Sequence, residues 1–273
     1  GETRWEVFEP LAVGRSFDLW LVDDRHLEGV RAVAKAIRYS PGASAQEIAA
    51  RRALFDDERD LYVLPPTMLP EPLDWLVLEG EPVFVYELQS GDTLETLVSA
   101  RFTNGLGEAR ALRLVRELAH LVAEVHAGGF VLRDLSPSHI VLGLDDTLQV
   151  IGLGNAARVG SVRAEAAHKV SRSEGFSAPE TAAVGASAHP SADVYSLGVM
   201  IGWLATGKIA GFVSGGLAEV VARCTGVAAK RPSAMDVYEL LRKTTVARVA
   251  VGKVPSPSPS PSPSPSPSTT TST

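Results

Sequence analysis

Residues 130–142 read F-V-L-R-D-L-S-P-S-H-I-V-L, a polar segment between two apolar runs. Its polar centre carries a carboxylate at Asp134 and an imidazole at His139, and the apolar run 140–142 follows at once. That run predicts a short strand after a polar loop. Taken alone, Arg133 and Asp134 could form an ordinary turn, so the meaning of the loop depends on the sequence around it.

Further short motifs surround this stretch in a fixed order. Downstream stand V-I-G-L-G at 150–154, S-A-P-E at 177–180, D-V-Y-S-L-G at 193–198 and K-R-P-S at 230–233. Upstream stand A-V-A-K at 32–35 and Y-E-L at 86–88. Each motif is a weak signal by itself, but the ordered series is specific.

The series resembles that of protein kinases, in which H-R-D-L-x-x-x-N is followed by D-F-G and A-P-E. It covers roughly residues 8–245, and on it the chain is identified as a member of the protein kinase superfamily, similar to the Ser/Thr kinases. The resemblance implies an α+β fold of two lobes. We expect a β-rich N-terminal lobe with one main helix, including the hinge, at residues 1–88 and a mostly helical C-terminal lobe at residues 89–248.

Hydrophobic periodicity agrees with this architecture. Short β-prone runs fill residues 1–88, with one helical interruption at 45–54 that Ser44 is placed to cap. From Gly107 the apolar residues recur at helical spacing until Gly128. Later helices are predicted at 192–206, 217–224 and 234–243.

The composition changes abruptly near the C-terminal end. From Pro255 to Ser268 the dipeptide Pro-Ser repeats without interruption, and a Thr-rich segment follows. Alternating proline removes backbone donors and fixes φ, so residues 249–273 are predicted to form a disordered, extended linker. We expect a further domain beyond it.

Several residues match family positions that act on nucleotide. The resemblance places the catalytic base at Asp134 and the phosphate-pairing lysine at Lys35. For the helical partner of Lys35 we choose Glu47, with Glu58 as the alternative. A structural interpretation also stands, because a Lys–Glu ion pair can simply tether a helix to a sheet. The remaining positions of the degenerate nucleotide cleft are Gly14 of the glycine-rich loop and the hinge residues Glu87 and Gln89.

The groups that hold magnesium in the family are missing. Kinases use the aspartate of D-F-G and an asparagine of the catalytic loop, but this chain has Gly152 and His139 at these positions. Magnesium needs hard oxygen ligands, glycine offers no side chain, and imidazole suits zinc or copper better. We therefore predict no metal and no cofactor, with weak metal-independent ATP binding as an alternative.

The glycine-rich loop has also changed. Of its three glycines only Gly14 survives, and Phe17 at the third position is predicted to fill the phosphate space. Val33 and Tyr86 should narrow the adenine site. A glycine-rich passage at 207–216 indicates that a substrate-docking helix of the family is shortened or absent.

Composition and charge argue against several other classes of protein. The net charge of -6 and the pI of about 5.6 disfavour a general nucleic-acid binder. Cys224 is the only cysteine, which leaves no intrachain disulfide framework and no zinc cluster. No apolar run reaches the length of a membrane helix. We expect a cytoplasmic bacterial protein with no membrane contact in this stretch.

The leading functional hypothesis is a pseudokinase, a catalytically inactive kinase-like domain that scaffolds or regulates a protein partner. Glu180, Asp193 and Arg231 support the fold in the family and are all kept, whereas both magnesium ligands are lost. The alternative is an atypical ATP-dependent Ser/Thr kinase or nucleotide transferase. It would use Lys35 and Asp134 with unconventional metal binding.

Overall fold

The N-terminal lobe is built on a five-stranded antiparallel sheet with the strand order β1-β2-β3-β5-β4. A computed structural model describes residues 4–14, 16–64, 68–162, 173–183 and 185–245. The strands of the sheet are β1 (Trp5–Val13), β2 (Phe17–Asp24), β3 (Arg31–Ile37), β4 (Pro72–Leu78) and β5 (Glu81–Glu87).

The two faces of this sheet bury different residues. Alternation along β3 sends Ala32 and Ala34 to one face, where they pack with Val85. Val33 lies on the other face, where it packs with Phe84. Lys35 shares the face of Val33, because residues two apart on a strand point the same way.

Helix α1 (Ala45–Leu61) crosses this second face and is longer than the predicted segment 45–54. Ser44 caps it as predicted, since its side chain accepts a hydrogen bond from the Glu47 amide. The helix turns Phe55 and Glu58 towards the sheet, where both are buried. The extra length decides which glutamate reaches Lys35.

The C-terminal lobe is mostly helical, as predicted. Its helices are α2 (Leu94–Ala100), α3 (Glu108–Ala127), α4 (Ser191–Thr206), α5 (Gly215–Thr225) and α6 (Ala234–Lys243). Its short strands are β6 (Asp92–Thr93), β7 (Phe130–Val131), β8 (Ile140–Leu142), β9 (Leu148–Val150) and β10 (Ala157–Arg158). The sheets β10-β7 and β6-β8-β9 frame the polar loop 132–139.

Helix α4 is the centre of this lobe and is buried along almost its whole length. Gly198 allows α5 to pack closely against it, because a Cβ at Gly198 would lie 2.5 Å from the Cβ of Cys224. Residues 207–214, all within the described part of the chain, form no helix between α4 and α5. The glycine-rich sequence had indicated this loss of the docking helix.

Two further predictions from the sequence concern the C-terminal linker and membrane helices. The Pro-Ser segment lies outside the described residues, so the predicted linker stays a prediction. Across the described ranges, the structure contains no helix with the length and apolar character that a bilayer crossing requires.

Candidate functional site

A cavity of about 280 Å³ opens between the two lobes. The turn between β1 and β2 forms its roof, and the polar loop 132–139 and the short 3₁₀ turn Leu153–Asn155 form its floor. The sequence-predicted residues that line it are Gly14, Phe17, Lys35, Tyr86, Asp134, His139 and Gly152.

The polar loop is fixed from below by a buried carboxylate of α4. Asp193 has no solvent exposure. It accepts hydrogen bonds from the Leu132 and Arg133 amides, both at 2.8 Å, and from Nε2 of His126 at 3.0 Å. Arg133 has a φ of 67°, a left-handed conformation that a non-glycine residue rarely adopts unless its surroundings impose it. Asp193 therefore sets the backbone that presents Asp134.

The carboxylate of Asp134 is bound by groups of its own chain. Oδ2 accepts a hydrogen bond of 2.9 Å from Nδ2 of Asn155. Oδ1 accepts from the Ser173 hydroxyl at 2.9 Å and from the Ser173 amide at 3.2 Å. Sequence reasoning did not assign either partner, although both lie beside recognised motifs.

His139 and Gly152, the positions at which the sequence predicts the loss of the magnesium ligands, are in contact. Nδ1 of His139 donates a hydrogen bond of 2.9 Å to the Asp134 carbonyl, which turns the ring towards Gly152. A Cβ at Gly152 would lie 2.5 Å from Cδ2 of that ring. Real Cβ contacts are essentially never this short, so the imidazole fills space that a side chain at position 152 would need.

The helical partner of Lys35 is Glu58, so our choice of Glu47 was wrong. Nζ of Lys35 lies 2.5 Å from Oε2 of Glu58, and the two residues are only 4% and 2% exposed. Glu47 stands more than two turns earlier on α1, where it binds Arg51 and accepts a hydrogen bond from Ser40. It is thus directed away from the cleft.

Phe17 lies beside Lys35 at the end of the cleft that is predicted to face phosphate. Its ring centroid lies 4.0 Å from Nζ of Lys35. The amide of Gly14 donates a hydrogen bond of 2.9 Å to the Phe17 carbonyl, so this amide is used inside the turn. The surviving glycine of the loop therefore does not offer that donor to a phosphate group.

The hinge end of the cleft is also occupied. Tyr86 is buried opposite Val33 on the neighbouring strand, and burial together with the charge of Glu58 raises the pKa of its phenol. Glu87 and Gln89 do not line the cavity. Instead, Nε2 of Gln89 donates to the Glu87 side chain at 3.1 Å and to its carbonyl at 3.3 Å.

A sequence profile decides the family. The profile of the protein kinase domain matches residues 73–224, which is more than half of the chain. The chain belongs to the protein kinase family. The match runs from β4 to α5 and does not include the part of the kinase fold that carries the altered glycine loop and Lys35.

Several curated relatives of this kinase-family chain come from bacteria. The chain is 32% identical over 123 residues to a probable serine/threonine-protein kinase, PkwA, of Thermomonospora curvata, and this alignment covers 45% of the chain and 16% of the relative. It is 30% identical over 123 residues to the serine/threonine-protein kinase PknA of Mycobacterium tuberculosis, with 45% of the chain and 28% of the relative covered. It is 29% identical over 126 residues to the serine/threonine-protein kinase PrkC of Bacillus subtilis, with 46% of the chain and 19% of the relative covered. The chain spans less than a third of the length of these relatives.

The contacts that hold this kinase fold together are intact. Arg231 forms a two-pronged ion pair with Glu180, in which Nη2 lies 3.1 Å from Oε2, and its Nη1 also donates to the Ser191 carbonyl at 3.0 Å. Leu132 and Leu153, which replace the histidine and phenylalanine of the family motifs, are both buried in the main core. The predicted fold-supporting contacts of Glu180, Asp193 and Arg231 are thus present.

The residues present do not fit a magnesium ion. At position 152 there is no side chain, and the imidazole of His139 is directed into the space beside it. The carboxylate of Asp134 already accepts hydrogen bonds from Asn155 and Ser173. Among the residues that the structure describes, no three His, Cys, Asp or Glu side chains are grouped in a way that could hold a metal ion.

Proposed function

We propose that this kinase-family domain is a pseudokinase that acts by binding a protein partner and does not transfer phosphate. The observation that carries the proposal is the contact between His139 and Gly152. The imidazole fills the place of the missing aspartate side chain, so the cleft lacks both oxygen ligands that would hold magnesium.

The loss is large on the energy scale of catalysis. Phosphoryl transfer depends on positioning and on metal ions that neutralise charge on the phosphates. A Lewis acid supplies several kcal/mol of transition-state stabilisation, and each 1.4 kcal/mol is about tenfold in rate. Ser136 and Ser138, which flank Pro137 in the polar loop, carry no charge that could compensate for a missing metal ion.

The preserved contacts support a role as a binding module. Asp193 holds the polar loop, Arg231 holds Glu180, and Lys35 holds Glu58. These contacts maintain a defined surface, whereas neither Gly152 nor His139 offers a side-chain oxygen ligand to a metal ion. A domain that keeps its shape without its chemistry is suited to scaffolding or to regulation of another protein.

A phosphotransfer assay tests this proposal. Purified protein is incubated with radiolabelled ATP and either magnesium or manganese, with myelin basic protein as a general acceptor. We expect neither autophosphorylation nor acceptor labelling above that of an Asp134→Asn variant. Labelling that depends on the metal and disappears in Asp134→Asn would end the proposal.

An atypical kinase or nucleotide transferase is the second candidate. The Lys35–Glu58 ion pair of 2.5 Å favours it, because the family uses this pair to orient phosphate. It predicts that ATP stabilises the fold, by about 2.7 kcal/mol at a concentration of 100 times Kd. Thermal unfolding with ATP, with and without magnesium, discriminates the cases. A shift that needs magnesium favours the enzyme, and a shift without magnesium and without product indicates nucleotide binding alone.

A further inference from the structure

The ring of Phe17 lies at the junction of three parts of the fold. It covers Nζ of Lys35 at 4.0 Å from the ring centroid and meets the ring of Phe55 on α1 at 6.3 Å between centroids. On its other side it contacts the turn Leu153–Asn155 of the C-terminal lobe, where a Cβ at Gly154 would lie 2.9 Å from its Cδ2 atom. One side chain thus connects the roof, the helix and the floor of the cleft.

Gly154 is what admits the ring. The same added Cβ would lie 2.8 Å from Nζ of Lys35 and closer still to Cε2 of Phe17. A residue with a side chain at position 154 would therefore displace the aromatic ring or the ammonium group. The absence of a side chain at 154 and the presence of an aromatic ring at 17 are complementary.

The turn that carries Phe17 holds a buried polar group without a partner. Ser16 is only 5% exposed, and its hydroxyl has no hydrogen-bond partner in the described structure. Its carbonyl does have a partner, the Arg38 amide, which donates a hydrogen bond of 2.8 Å to it. A buried unpaired hydroxyl disfavours the closed turn and favours any position in which water reaches it.

We propose that Phe17 is an internal ligand of the cleft, which holds the two lobes closed in the absence of nucleotide. The cation of Lys35 and the surface of Gly154 are the groups that it covers. An anionic group could reach Lys35 only if the turn moves away, and the unpaired Ser16 hydroxyl lowers the cost of that movement. The inference concerns the same cleft as the proposed function. It rests on that function in one respect, because a cleft that does not transfer phosphate can stay closed.

Two variants release the ring in different ways. Phe17→Ala removes it, and Gly154→Ala keeps it but fills its place. The matched control is Phe8→Ala, because Phe8 lies in the same hairpin and stacks on a cation, the guanidinium of Arg31 at 4.2 Å, but it is exposed and outside the cleft. Ser16→Ala removes the unpaired hydroxyl and should have the opposite effect.

Hydrogen exchange measures closure directly. We expect the amide of Ala156, which donates a hydrogen bond of 2.8 Å to the Leu153 carbonyl, to exchange roughly tenfold faster in Phe17→Ala and Gly154→Ala, because the turn opens more easily once the ring no longer packs against it. The same amide should exchange at the wild-type rate in Phe8→Ala and no faster than wild type in Ser16→Ala. Equal exchange in the wild type and both release variants would overturn the proposal.

Tripolyphosphate without divalent ions tests what the ring covers. We expect it to raise the Tm of Phe17→Ala in a concentration-dependent way and to leave the wild type and Phe8→Ala unchanged. A wild type that is stabilised as much as Phe17→Ala would contradict an internal ligand at Lys35. That result would leave the proposed function standing, because only metal-dependent phosphotransfer overturns the latter.

Discussion

The imidazole ring of His139 occupies the space that a side chain at Gly152 would need. A Cβ at Gly152 would come within 2.5 Å of Cδ2 and 2.8 Å of Cγ of this ring. The two positions that are predicted to have lost magnesium ligands are therefore packed against each other, and restoring either residue alone should be unfavourable.

Gly152→Asp alone should destabilise the domain by about 1–3 kcal/mol, because the new side chain overlaps the imidazole. The φ of 72° at this position adds strain for any residue other than glycine. His139→Asn in the same chain should recover much of the loss, giving a coupling energy of about 1 kcal/mol or more. Urea denaturation of both single variants and the double variant measures this, and simple additivity would contradict the contact.

The ion pair of Lys35 should matter far more for stability than that of Glu47. Glu58→Gln leaves a buried ammonium group without its counter-charge and should cost about 3–5 kcal/mol. Glu47→Gln weakens a contact with Arg51 near the surface and should cost no more than about 1 kcal/mol. Chemical denaturation compares the two, and a larger loss for Glu47→Gln would return Glu47 to the role first assigned to it.

Arg231→Lys should weaken the C-terminal lobe although it keeps the positive charge. Lysine cannot reproduce the forked contact with Glu180, so we expect a loss of about 1.5–3 kcal/mol. The exposed helical pair of Arg223 with Glu219 serves as the control, and Arg223→Lys should change stability by less than about 0.5 kcal/mol. Similar losses for both variants would show that the fork is unimportant.

Cys224 should be unreactive in the folded protein. Burial raises the pKa of its thiol to about 12, partly offset by the charge of Arg231. Because the folded pKa lies above the unfolded one, this contribution to stability is complete below pH 9 and is lost as pH rises towards 12. Iodoacetamide at pH 8 should label the thiol only after denaturant is added. The loss of stability between pH 9 and 10.5 should be smaller in Cys224→Ala, and equal losses would contradict the buried thiol.

The sequence alone identified those features of the fold and of the cleft that lie in short local motifs. The loop 132–139, the A-P-E glutamate Glu180 and the helix α4 were all recognisable from short strings and helical spacing. The kinase family and the α+β fold followed from their order. These features are local, so no knowledge of distant contacts was needed to find them.

Glu58 was the harder case, and its signal lay in the sequence. Leu54, Phe55, Glu58 and Leu61 share one face of a helix, and that face is buried. The prediction ended the helix at residue 54, and the connection from the helix to the next strand had no firm anchor in the sequence. Continuing the helical period by two turns would have placed Glu58 opposite Lys35.

Asn155 and Ser173 could not be assigned from the pattern alone. Both bind the carboxylate of Asp134, but they reach it through backbone turns whose geometry depends on tertiary packing. A polar residue that follows V-I-G-L-G or precedes S-A-P-E is compatible with many roles. Only the three-dimensional structure brings these two side chains to the same carboxylate.

A search for a metal ion in the cleft tests the predicted loss of the magnesium site. Crystals soaked with ATP and manganese are measured at a wavelength where manganese scatters anomalously. We expect no anomalous peak between Asp134, His139 and Gly152, whether or not ATP density is present elsewhere. An ordered manganese ion that bridges two phosphate oxygens at that position would contradict the claim that this cleft has lost its metal.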